Sequence, residues 1–218
     1  MKIYVMFAMT AFFVISCNRE DFNDEISGMD SYFPLCEGNY WIYDHYRIQQ
    51  DGTETLLLNN RDSIVITHDT IINSKKYYVY EGTDSKLGRR EMQVLKIMRD
   101  SSGYLVNHKG EIHFSTVNFD QDLLVVDYVL PDRDTVYITR YRMENQPVIV
   151  NTPAGRFEAL NFRGTLNDRY HTVSRYLNNY HTRGVGEVLD DYFYLSDSTI
   201  YYERRLVRYH VNPVNAPA

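Results

Sequence analysis

Cysteine is almost missing from this chain of 218 residues: Cys17 and Cys36 are the only two. That excludes the dense disulfide framework that many small exported domains rely on. Tryptophan occurs once, at Trp41, and proline and glycine number six and eleven, too few for a collagen-like or low-complexity chain. Basic side chains are the minority, 23 against 29 acidic ones. A phosphate-binding face needs clustered Lys and Arg, so no nucleic-acid partner is expected. The motifs HExxH, CxxC, GxSxG and SxxK are all lacking, and the seven histidines are scattered. No cofactor, no metal and no catalytic residue is therefore assigned, although a zinc site assembled from distant histidines stays open.

Long apolar runs are lacking too, except at the start. Residues 3–15 of MKIYVMFAMTAFFVISC are apolar apart from Thr10, and they follow Lys2 and the free amine. As a helix this run covers ~20 Å, short of the ~30 Å hydrocarbon core. A cleavable export signal fits better than a membrane span. Val14-Ile15-Ser16-Cys17 resembles the bacterial lipobox, in which an aliphatic residue and two tolerant positions precede the Cys that receives lipid. The resemblance implies a signal peptide over 1–16 and lipidation at Cys17. Each buried methylene contributes ~0.8 kcal/mol, so several acyl chains anchor a protein durably. Residues 17–31 then read as an acidic, aperiodic tether reaching ~20 Å. Without residues 1–16 there are 22 basic and 29 acidic side chains, a formal charge of −7. With Cys17 lipidated, Cys36 has no partner. It reads either as a reactive thiol or, preferably, as a small buried hydrophobe.

What fills the rest is short runs of Tyr, Val, Ile, Leu and Phe between turn residues. Asn39–Gln49 ends at Asp51-Gly52, a hairpin signal. Ser63–His68, Lys76–Glu81, Glu91–Met98, Tyr104–His108, Glu111–Val117, Leu123–Leu130 and Asp134–Met143 follow. Pro147–Thr152, Arg156–Arg163, His171–Leu177, Gly186–Leu195 and Thr199–His210 complete the series. About a dozen strands at intervals near ten residues predict an all-β fold with little helix. Residues 32–218 are expected to form a single domain. Pro153 presets a turn, Gly155 restarts a strand and Phe157 plants it in the core. Gly184 and Gly186 are expected on one face of a strand, where they would let the sheet bend. Asp190-Asp191 and Asp132/Asp134 are expected near turns.

Three landmarks form a further pattern: Tyr32-Phe33-Pro34-Leu35 with Gly38-Asn39, Trp41 and Tyr43; Thr152-Pro153-Ala154-Gly155 with Phe157; and Gly184-Val185-Gly186 with Val188. In this order they resemble a group of Gram-negative envelope lipoproteins with no settled activity. The last two also resemble half-barrel periplasmic domains of the lipoprotein-carrier type. The resemblance implies a curved antiparallel sheet, a half-barrel or open barrel, held at the outer membrane on its periplasmic or outer side.

A curved sheet has a concave face, and aromatic strands would line it. Trp41, Tyr43, Tyr78 and Tyr80 are the candidate ligand-facing residues, though rings with a polar handle also serve as ordinary core. The first functional reading is a non-catalytic, envelope-anchored binding or structural module, its ligand a lipid or another amphipathic molecule. A carbohydrate hydrolase with unidentified carboxylates and an architectural subunit of an outer-membrane assembly are the alternatives. The expected partners are the membrane, through the N-terminal lipid, and a lipid, glycan or protein of the envelope.

Overall fold

The computed structural model describes residues 31–129, 135–168, 174–194 and 200–212. Cys17, the export signal, the tether up to residue 30 and Asp132/Asp134 lie outside them. Alternation of aromatic and β-branched residues produces strands almost throughout, with one short 3-10 turn at Ser85–Leu87. The strands are β1 (Tyr40–Ile48), β2 (Glu54–Ile72), β3 (Lys75–Asp84), β4 (Arg89–Asp100) and β5 (Tyr104–Asn107). Next come β6 (Ile112–Ser115), β7 (Leu124–Val129), β8 (Thr135–Met143), β9 (Val148–Thr152) and β10 (Gly155–Asp168). The last four are β11 (Ser174–Leu177), β12 (Asn179–Thr182), β13 (Gly186–Tyr192) and β14 (Tyr201–His210).

All of them belong to one antiparallel sheet, ordered β6-β5-β4-β3-β2-β1-β14-β13-β12-β10-β8-β7, with β9 and β11 also paired to β10. The sheet curls until its two ends nearly meet. Phe114 of β6 lies 4.3 Å from the His181 ring of β12 and 6.4 Å from the Phe162 ring of β10. The Ser115 amide of β6 donates to Met143 Sδ of β8 at 3.4 Å. Register shifts supply the curvature, because an extra residue on one strand bends it and raises its twist. They fall at Ile42/Tyr43 and Asp44/Tyr46 on β1, Ile66/His68 on β2, Tyr80/Glu81 on β3 and Tyr180/His181 on β12.

Inside the curl, Phe114, Ile66, Met98, Met143, Leu206 and Val188 are almost wholly buried. Burial contributes roughly 1.5–3 kcal/mol for each large side chain. Gly82 shows how tightly β2 and β3 approach: a Cβ there would stand 2.2 Å from the Ser63 carbonyl oxygen. Ser31, the first described residue, is fastened to the sheet by its carbonyl, which accepts the Gly184 N–H at 2.8 Å.

Several sequence expectations are corrected. The strand expected at Ser63 begins at Glu54, because Glu54–Leu56 extend the β1–β2 hairpin even though much of that arm is exposed. Gly184 lies in the turn between β12 and β13, not inside a strand, and Gly186 opens β13 at φ +88°. A Cβ at Gly186 would come within 3.2 Å of Pro34 Cδ, so the glycine permits a close approach of chain to chain. Asp190 and Asp191 lie within β13 rather than a turn. The Thr152–Gly155 hairpin follows expectation, with Pro153 and Ala154 as its two loop residues. Cys36 is free and only partly buried, less enclosed than a core hydrophobe.

Candidate functional site

The polar centre of the barrel starts at a register shift. His45 has no partner on β2, because pairing jumps from Asp44↔Arg61 to Tyr46↔Leu56. Its ring turns into the interior, fully buried. There Nε2 meets Asp62 Oδ2 at 2.9 Å and Nδ1 meets the Tyr192 hydroxyl at 2.8 Å. Asp62 also accepts from the amide and hydroxyl of Ser85, at 2.8 and 2.7 Å. Such an acceptor-only carboxylate requires a proton on Nε2 and so fixes the orientation of the imidazole.

Arg204 of β14 gathers the remaining charges. Its Nε donates to Asp190 Oδ1 at 2.6 Å, another nitrogen contacts Glu187, and Asp62 lies 3.8 Å away. Its guanidinium sits 4.6 Å over the Tyr43 ring. Lys86 bonds Asp190 Oδ2 at 2.5 Å, and Lys96 stands 3.5 Å from Glu187. Burial opposes the charge on Glu187, but Arg204 and Lys96 outweigh it and hold the carboxyl well below its usual range. Burial also opposes the charge on Arg204, and Asp190 and Glu187 more than reverse that, so it stays cationic. Buried charges persist when paired and hydrogen-bonded in this way.

Beside this network lies a cavity of about 410 Å³, within the range of small-molecule sites. One wall is apolar: Leu124, Val126 and Tyr128 alternate along β7, and on the neighbouring strands Tyr141 of β8 stacks on Phe162 of β10 at 5.2 Å. The other end is polar, with Lys86, Lys96, Glu187, Asp190, Asp191 and His181. Tyr128, 41% exposed, marks the rim. Burial pushes His181 down to about 4, so its ring is neutral at pH 7, and among the described residues its buried Nδ1 has no hydrogen-bond partner. Burial and the nearby Lys96 lower His113 as well.

Asp191 differs from its neighbours. Its oxygens accept from the Asn178 amide and from Asn178 Nδ2, both at 2.5 Å. No basic side chain among the described residues pairs with it, and burial pushes its carboxyl up to about 7 against the pull of Asn178. It stands where the cavity meets a second groove of about 340 Å³, lined by Tyr176, Tyr201 and Phe193.

Three of the four sequence-selected aromatics come together. Trp41, Tyr43 and Tyr80 border a small cavity of about 30 Å³, room for about one water, next to the large one. Trp41 donates Nε1–H to the Val185 carbonyl, Tyr43 donates its hydroxyl to the Glu187 carbonyl at 2.9 Å, and Tyr80 stacks on Trp41 at 6.0 Å. Tyr78 is half-buried, carries Lys76 over its ring at 5.1 Å and borders neither cavity. The large cavity uses Tyr128, Tyr141 and Tyr192, which sequence reasoning did not select. Asp190-Asp191 was the one available signal, and it reads equally well as a turn.

No family model matches the chain, and no curated protein matches it. Two solved structures resemble it in shape. One is a candidate exported protein with a YmcC-like fold from Bacteroides fragilis, at TM-score 0.48 and 15% identity, covering 82% of this chain and 98% of its own. The other is a candidate lipoprotein from Parabacteroides distasonis, at TM-score 0.46 and 10% identity, with the same coverages.

Proposed function

We propose that this chain is an exported lipoprotein, anchored to the outer membrane through Cys17, whose barrel-like sheet binds an amphipathic envelope molecule without transforming it. The cavity carries this reading, because it offers an apolar wall facing a charged end. Most small-molecule pockets are apolar with a few placed polar groups, and an amphiphile satisfies both halves. The lipobox-like sequence supports the location.

A carbohydrate hydrolase would need two available carboxyl groups across its cleft. Of the three acids at the cavity, Glu187 and Asp190 are tied to Arg204, Lys96 and Lys86. Only Asp191 is left, which favours binding over glycoside cleavage.

The test uses a soluble form lacking residues 1–17, which removes none of the described residues. Purified from a Gram-negative envelope and extracted into organic solvent, it should release a bound amphiphile identifiable by mass spectrometry. Leu124→Trp, which fills the cavity, should abolish that recovery. Extracts that stay empty, with the sheet folded, would sink the reading and leave an architectural role.

A further inference from the structure

Within the amphiphile reading, the structure also points to the class of headgroup. The cavity contains two lysines and three acids, and a buried arginine stands behind them. Lys86 is held by Asp190, Lys96 faces Glu187, and Arg204 bonds both acids. These cations already have counter-charges, so an anionic headgroup would have to displace one. Among the described residues, Asp191 alone of these acids has only neutral donors.

The surroundings of Asp191 suit a cation. Tyr128 and Tyr141 line the same cavity as Asp191. Aromatic rings attract ammonium groups by their quadrupole, most strongly where water is excluded. The other charged groups near Asp191 are accounted for: Asp190 and Glu203 raise its carboxyl, Glu203 is bound by Arg205 at 2.5 Å, and Arg175 lies 3.6 Å from the Phe193 ring.

We infer that the cavity receives an ammonium group at Asp191, seated against Tyr128 and Tyr141, with the ligand's apolar body along Leu124, Val126 and Phe162. This rests on the amphiphile reading and specifies its headgroup. Binding has a proton signature: an incoming cation favours ionised Asp191, so a carboxyl poised near neutrality gives up its proton as the ligand enters.

The test titrates the full chain, held in a non-ionic detergent, with choline and with 3,3-dimethylbutan-1-ol, which has the same shape and no charge. Calorimetry in two buffers of different ionisation enthalpy counts the protons released. Choline should bind at least roughly tenfold more tightly than the alcohol and release protons at pH 7. Asp191→Asn should lose both the preference and the proton release. Tyr141→Leu should weaken choline severalfold in a protein that circular dichroism shows to be folded. If D191N does not fold, the wild-type comparison of choline with the alcohol decides alone. Equal affinity for the two probes, or a D191N protein that still prefers choline, overturns the ammonium site. The amphiphile reading is judged separately, by the lipid extracts.

Discussion

Trp41 donates its indole N–H to the Val185 carbonyl at 2.6 Å, across 144 residues of sequence. The bond ties the first strand to the turn that opens β13, and Trp41 is only 4% exposed, so water cannot replace it. Trp41→Phe keeps a ring but leaves that carbonyl without its donor. A loss of roughly 1–3 kcal/mol is expected, read as a lower urea midpoint with an unchanged slope.

Arg204 holds three buried acids together, so its removal leaves them with too little positive charge, Lys86 beside Asp190 and Lys96 beside Glu187. Arg204→Met should cost roughly 3–5 kcal/mol at pH 7, the range for breaking a buried charge pair. The folded Glu187 carboxyl lies below its unfolded value, so its stabilising contribution in the wild type is present above the ordinary carboxylate range and lost as pH falls. The penalty for R204M should therefore persist above the ordinary carboxylate range and shrink as pH falls below it, in parallel urea titrations. A pH-independent penalty would contradict the charge argument.

Asp191 has the opposite sign. Its folded value of about 7 exceeds the ordinary ~3.9, so the folded state holds the proton more tightly than the unfolded chain. The stability it contributes is full below about pH 4 and lost as pH rises through about 7. Asp191→Asn, which cannot ionise, should therefore be more stable than wild type at pH 8, by up to roughly 4 kcal/mol. The gap should close near pH 4. Thermal melts at both pH values check this, and a mutant less stable at pH 8 would refute it.

Cys17 lies outside the described residues, and its role is tested in cells. Cys17→Ala should abolish incorporation of labelled fatty acid and leave either soluble protein or unprocessed precursor. A substituted protein that still carries acyl label would show that the anchor lies elsewhere.

Most strands were legible because alternating Tyr, Val and Ile bounded by Gly, Pro, Asn and Asp is a local signal. The Asp51-Gly52 and Pro153-Ala154 hairpins were visible for the same reason, since turn geometry depends on the turn residues themselves. Strand β12, Asn-Tyr-His-Thr, was missed because it is short and polar, and its pairing with β10 and β13 is what makes it a strand. The glycines around Val185 were misplaced by two residues, enough to turn a hairpin into a strand on paper.

The cavity was not legible. Tyr128, Tyr141 and Asp191 lie on three different strands, and nothing in their sequence spacing announces that the sheet brings them together. Strand content, turn positions, the acidic balance and the lipobox-like start follow from the amino-acid sequence by itself, because each depends on neighbouring residues. Which acids are neutralised is decided by tertiary structure alone: Asp190 and Asp191 are adjacent in sequence, yet Lys86 and Arg204 reach only the first. Sheet curvature set by register shifts brings distant cations to one carboxylate and leaves the next to Asn178, and burial then magnifies the difference.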